Sequence, residues 1–130
     1  MSLKQIIETK MAPAAIGPYS QGIAAENTFY ISGQLGIDMN TGALGTTFKE
    51  QATNALYNIK TLVESAGSRL DRVTKATVYL TDINTYPEFN TVYEGFFQAQ
   101  PPAREVVGVA ALPKGAMVEI SCTGFIQDSM

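Results

Sequence analysis

Histidine is absent from the 130 residues, and that absence removes whole classes of chemistry. Ser-His-Asp and Cys-His nucleophile systems are excluded, as are imidazole metal ligands and the commonest general base near neutral pH. Proton transfer falls to Glu, Asp, Lys, Tyr, the lone thiol or a held water. Cysteine is limited to Cys122, so neither an intrachain disulfide nor a Cys-based zinc site can form. No close cluster of Asp and Glu suggests a magnesium site, and no metal is expected. Charge is scarce too, at 16% of residues against about 25% in ordinary soluble domains. Nine Lys and Arg stand singly against twelve Asp and Glu, for a net charge of −3. A phosphate-tracking surface is therefore not expected, and nucleic acid is disfavoured as a partner. No apolar run approaches the roughly 20 residues of a membrane span, and Met1 to Lys10 hold no apolar segment of a secretion signal. A cytoplasmic chain without a membrane partner is the expectation.

What is present suffices for one core. Apolar residues make up 45% of the chain, and a chain of this length hides roughly two thirds of its unfolded surface on folding. A single domain over residues 1–130 is expected. The low charge also hints that part of its surface faces another protein.

Thr28 to Gln34 is rich in aromatic and β-branched residues and predicts a strand ending at Gly33, with a turn at Asn40-Thr41-Gly42. From Thr47 to Ala66, Phe48, Ala52, Ala55, Leu56, Ile59, Leu62, Val63 and Ala66 recur at helical spacing. Thr47 with Glu50 makes a capping box, and Gly67 makes the stop. Val73 to Thr81 alternates as a strand. A second helix begins at Tyr86-Pro87-Glu88, capped by Thr85 with Glu88, and carries Phe89, Val92, Tyr93, Phe96 and Phe97 up to Pro101-Pro102. Arg104 to Leu112 and Ala116 to Ile126 then read as a hairpin across Pro113-Lys114-Gly115. This order predicts an α+β layer with two helices on one face of a sheet, the other face being left to water or a partner. In the last strand Ala116, Val118, Ile120, Cys122, Gly124 and Ile126 alternate with Met117, Glu119, Ser121, Thr123 and Phe125, so Glu119 points away from the helix-covered core. Arg104 and Val106 share one face of their strand, Glu105 and Val107 the other.

Several residues could carry chemistry. Arg104 offers a planar fork for a carboxylate, or else holds Glu119 or Glu105 in a structural ion pair. Glu119 stands in a strand otherwise nearly free of charge, where desolvation would raise its pKa and make it a usable acid or base; a structural salt bridge is the other reading. Tyr19, after Ile16-Gly17-Pro18, presents a ring and hydroxyl from a loop or simply packs. Ser32-Gly33 could bring backbone N–H groups to an anion, or merely end a strand. Asn90 could bond a ligand or face solvent. Cys122, on the apolar face, reads as a buried, inert thiol.

Taken together, Ala14-Ala15-Ile16-Gly17-Pro18-Tyr19-Ser20-Gln21-Gly22, Ile31-Ser32-Gly33-Gln34, Asn90-Thr91-Val92-Tyr93-Glu94, Pro102-Ala103-Arg104, Leu112-Pro113-Lys114 and Val118-Glu119-Ile120 closely resemble the Rid family, the YjgF-type reactive-intermediate deaminases. The match runs in order over essentially the whole chain. The resemblance implies a chorismate-mutase-like α+β subunit, assembled as a homotrimer with its sheets facing the interior and clefts between subunits. It implies a cofactor-free hydrolysis of 2-iminobutanoate, 2-iminopropanoate or their enamine tautomers to 2-keto acids and ammonia. By the same resemblance Arg104 clamps the substrate carboxylate and Glu119 positions or deprotonates the attacking water, while Tyr19, Ser32, Gly33 and Asn90 line the pocket. Where the main deaminase group has Ser-Cys after the arginine, this chain has Glu105-Val106. The backbone N–H of Val106 is retained for the substrate, and alternation turns Glu105 away from Arg104. A carboxylate-sensing protein without turnover is the alternative. A ribonuclease or translation inhibitor, a label some relatives carry, is disfavoured by the acidic balance and the lack of histidine.

Overall fold

The computed structural model describes residues 3–128. Met1 and Ser2, where the segment read for a secretion signal begins, lie outside the described residues, as do Ser129 and Met130. Six strands make the main sheet: β1 (Lys4–Ile7), β2 (Gly22–Ala25), β3 (Thr28–Leu35), β6 (Val73–Leu80), β7 (Ala103–Gly108) and β8 (Val118–Phe125). They lie in the order β1-β2-β3-β8-β6-β7. All neighbours are antiparallel except β6 and β7. Two short strands, β4 (Ile37–Asp38) and β5 (Ala43–Leu44), flank the predicted turn at residues 40–42. Among the described residues no helix is long and apolar enough to cross a membrane.

Helices α1 (Phe48–Ser65) and α2 (Tyr86–Glu94) pack against each other, and α1 lies across β3 and β8. The predicted stripe of α1 is the core: Ala52, Ala55, Leu56, Ile59, Leu62 and Val63 are essentially inaccessible. They meet Phe29 and Ile31 of β3, Val78 and Leu80 of β6, and Val118 and Ile120 of β8. Thr47 Oγ1 accepts from the N–H of Glu50 at 3.1 Å, half of the predicted capping box. The other half is displaced by one residue: Glu50 Oε1 accepts from the N–H and hydroxyl of Thr46.

The structure corrects four sequence readings. β7 and β8 are not a hairpin: β7 pairs in parallel with β6, and β8 inserts between β3 and β6. The strand predicted to run to Leu112 ends at Gly108, which leaves enough chain to cross from the sheet edge to its middle. A parallel neighbour needs a crossover, here supplied by α2, and sequence alternation alone does not distinguish the two pairings. Second, β3 continues past Gly33 to Leu35, because its register with β8 shifts between Ile31 and Gln34 rather than stopping. Third, α2 ends at Glu94, well before the prolines, and Phe96 and Phe97 reach the core from the segment beyond it. Fourth, Thr85 does not cap α2 with its side chain; its hydroxyl donates to the Asp82 carbonyl at 2.6 Å.

Both helices lie on one face of the sheet. The other face presents Ile23, Tyr30, Tyr79, Val107 and Phe125, together with threonines and serine. Tyr30 is 50% and Val107 41% accessible. The charge pair Lys75 to Glu105 lies on this same face, at 2.9 Å.

Candidate active site

The strand register decides what the sequence could not, namely which predicted residues meet. Arg104 lies opposite Ala76, and Ala76 lies opposite Cys122, a row under the helices. Glu119 lies opposite Tyr79 on one side and Leu35 on the other, a row of the open face. Since alternate residues of a strand point to opposite faces, Arg104 and Glu119 belong to opposite sides of one sheet, with β6 between their strands. No salt bridge joins them among the described residues.

Arg104 rests on an aromatic bed. Its guanidinium carbon lies 4.6 Å from the ring centre of Tyr93, 5.6 Å from that of Tyr86 and 5.8 Å from that of Phe89. Nη2 donates to Asn90 Oδ1 at 2.9 Å and to the Tyr86 hydroxyl at 3.1 Å. Tyr86, Phe89, Asn90 and Tyr93 come from α2 at spacings of three and four, so one helix face builds the seat. Burial pushes the Tyr93 phenol up to about 12, against an opposing pull from Arg104. Tyr93 is therefore neutral at physiological pH, a π surface under a permanent cation. Its buried hydroxyl has no hydrogen-bond partner among the described residues. A cleft of about 470 Å³ opens here, lined by Asn90, Tyr93, Pro101, Pro102 and Arg104 among others. Glu105 turns away and pairs with Lys75, as alternation predicted.

Glu119 lies in a separate cleft of about 550 Å³ with Ile16, Tyr19, Ser32, Gly33 and Lys114. Burial alone raises its pKa above the ordinary 4.5. Gly33 lets this carboxylate lie directly over the backbone of β3: a Cβ there would meet Glu119 Oε2 and push the side chain aside. Gly33 lines the cleft beside Ser32, at the stretch where the register of β3 with β8 shifts. The Ser32 hydroxyl donates to the Ser20 carbonyl at 2.6 Å and ties β3 to the loop that carries Tyr19. Tyr19 is 52% accessible, and among the described residues its hydroxyl accepts a long 3.4 Å bond from the Ile16 N–H. One chain thus brings Tyr19, Ser32, Gly33 and Glu119 into one cleft, and Asn90 and Arg104 into another. Val106 lines neither; it lies opposite Val78 and packs against the core. Cys122 is buried, and burial pushes its thiol up to about 12.

Sequence reasoning missed three contributors. Gln21 is 4% accessible, and its amide donates to the carbonyls of Thr9, Ala12 and Pro13 while accepting from the Thr9 N–H. This pins the loop before Tyr19; because the partners are backbone groups, no residue pattern announces it. Lys114 joins the Glu119 cleft from a left-handed backbone at φ 61°, a strained conformation for a non-glycine residue. Tyr86 was legible in principle, since it precedes Asn90 by one helical turn. Among the described residues no group of three His, Cys, Asp or Glu side chains could hold a metal ion.

Residues 9–126 match the family model described as Endoribonuclease L-PSP. A 2-iminobutanoate/2-iminopropanoate deaminase of Bos taurus is 50% identical over 119 residues, 91% of this chain and 87% of the relative. The structure of RidA from the Antarctic bacterium Psychrobacter superposes with a TM-score of 0.91 at 47% identity, covering 94% of this chain and 99% of that one. E. coli TdcF, solved with bound serine, gives 0.90 at 40% identity, covering 93% and 98%. The chain belongs to the endoribonuclease L-PSP family, the YjgF/Rid group.

Proposed function

We propose that this chain is a cofactor-independent deaminase that hydrolyses 2-iminobutanoate, 2-iminopropanoate and their enamine tautomers to 2-keto acids and ammonia. In this proposal it is a single domain over residues 1–130 that acts in the cytoplasm as a homotrimer. The observation that carries the reading is the division of the site. A carboxylate-binding fork and a carboxylate of raised pKa stand on opposite faces of one sheet, so each cleft lacks what the other holds. Packing the open faces of three copies toward one interior would cover Tyr30, Val107 and their neighbours, and would set the Arg104 cleft of one subunit against the Glu119 cleft of the next. The names carried by the deaminase relatives agree with this chemistry.

In the assembled cleft Arg104 takes the substrate carboxylate, beside Asn90 and the N–H of Val106, and fixes the C2 carbon relative to Glu119. Glu119, made more basic by burial, accepts a proton from water as the water oxygen adds to C2 of the protonated imine. The resulting carbinolamine receives that proton on nitrogen. The C–N bond then breaks as Glu119, ionised again, takes the hydroxyl proton; ammonia leaves with the bonding pair, the C2 oxygen becomes the carbonyl of the 2-keto acid, and the proton passes from Glu119 to solvent. Tyr19 and Ser32 line the water side. A protonated imine is already electrophilic, so orientation and a held water replace the missing imidazole. Glu105, engaged by Lys75 on the open face, does not compete with substrate for the fork.

The test couples a threonine dehydratase to 2-keto acid detection, with semicarbazide present to trap free imine. The wild-type chain accelerates keto acid release, and Arg104→Ala loses more than about a hundredfold of that acceleration while keeping its fold. Undiminished acceleration by Arg104→Ala overturns the assignment.

A further inference from the structure

The Arg104 guanidinium is already in use. It has five N–H donors, of which the two on Nη2 are taken by Asn90 Oδ1 at 2.9 Å and by the Tyr86 hydroxyl at 3.1 Å. No bond to Nε or Nη1 is formed among the described residues. Parallel N–H pairs on a guanidinium are Nε with Nη2 and Nη1 with Nη2, because Cδ blocks the third edge. Every two-point grip on a carboxylate therefore needs a hydrogen of Nη2. As the side chains stand, an anion is limited to one bond, or must displace one of the two occupants.

The occupants are unequal. Asn90 makes the shorter bond, is partly buried and lines the Arg104 cleft. Tyr86 makes the longer bond, is 39% accessible and does not line that cleft. Its ring sits in the first turn of α2 with one side exposed, so turning the ring outward can carry the hydroxyl off Nη2. The Tyr86 phenol is a neutral acceptor, whereas a substrate carboxylate is an anion and makes the stronger bond to the same donor.

Resting on the proposed role of Arg104, we infer that Tyr86 is a displaceable internal competitor. Its hydroxyl occupies the Nη2 hydrogen that a 2-imino or 2-keto acid needs for a two-point grip, and so sets the affinity of the site. Each binding event exchanges a phenol for a carboxylate on Nη2, and each product release restores the phenol. Tyr86 is thus a positioning residue that acts through Arg104. It weakens the hold on every carboxylate alike and favours release of the keto acid.

The prediction has a sign that structural damage does not imitate. In Tyr86→Phe the ring stays and only the hydroxyl goes, so the affinity for 2-oxobutanoate, measured by calorimetry, rises by about three- to tenfold. KM for the imine falls by a similar factor, with kcat changing less than KM. Thermal melting of the variant confirms that the fold is retained, and Arg104→Ala serves as the reference. If 2-oxobutanoate binding is lost in Arg104→Ala but unchanged or weaker in Tyr86→Phe, the competition is overturned and the role of Arg104 stands. If Arg104→Ala binds as tightly as the wild type, or no protein binds 2-oxobutanoate, the underlying reading falls and the inference with it.

Discussion

Glu119 pairs with no cation among the described residues, and burial alone sets its proton affinity. Its pKa is raised in the fold, so the native state binds the proton more readily than the unfolded chain. Stability contributed by the protonated form is present below the ordinary 4.5 and is lost as pH rises through the raised value. Glu119→Gln should therefore melt higher than the wild type at neutral pH, and the difference should shrink in acid, as calorimetric scans across pH would record. The same substitution should lower deamination by about a hundredfold or more. A variant both more stable and less active would support the proposed role, because it shows a desolvated carboxylate kept for the reaction at a cost in stability. At this scale the sequence was informative. Sparse charge around Glu119 and strand alternation told which side chains stand alone and which way they point. The seat beneath Arg104 was not read, because Tyr86, Phe89 and Tyr93 at helical spacing look the same whether they fill a core or support a cation.

Among the elements, α1 was readable nearly to the residue, because its stripe, its cap and Gly67 all agree. Gly67 adopts φ 87°, where a side chain would be strained. Thr47→Ala should cost about 1 kcal/mol in chemical denaturation, with the midpoint falling and the slope unchanged, since one bond to the Glu50 N–H is lost and the apolar stripe is untouched. The strands were readable one at a time but not as neighbours. Ala103–Gly108 and Val118–Phe125 each show period two, and nothing in that period says that β6 lies between them. Gly33 illustrates the limit. The carboxylate that lies over it comes from a strand 86 positions later, Glu119 minus Gly33 in the numbering.

For the whole molecule, the division of Arg104 and Glu119 between two sheet faces gives a direct test of the proposed intersubunit site. Arg104→Ala and Glu119→Gln chains should each be inactive when prepared alone. Denatured together in equal amounts and refolded, they should regain up to about a quarter of wild-type sites, because an intact arginine then meets an intact glutamate across some subunit boundaries. A mixture as inactive as its parts, with trimers present by analytical ultracentrifugation, would place the whole site within one chain. The low charge of the sequence suggested a surface turned toward protein. The open face of the sheet, with Ile23, Tyr30, Tyr79, Val107 and Phe125, is the surface the proposed assembly would cover, and the expected number of subunits comes from the resemblance rather than from composition.

The placement of β8 bears on how the molecule is made. Every other strand precedes it in sequence, yet it lies inside the sheet, joining β3 on one side to β6 on the other. While the ribosome is still reading the codons after Gly108, β1 to β3 and the pair β6 with β7 are two unjoined sheets, each with an open edge and an apolar face. Thr28 cannot find Phe125, nor Leu80 find Val118, until the final segment has left the exit tunnel. Closure of the sheet must therefore wait for this segment, however early α1 and the first strands form. Until then the facing edges of β3 and β6 stay unpaired, and the nascent chain is at its most aggregation-prone in the interval between the making of β7 and the arrival of β8.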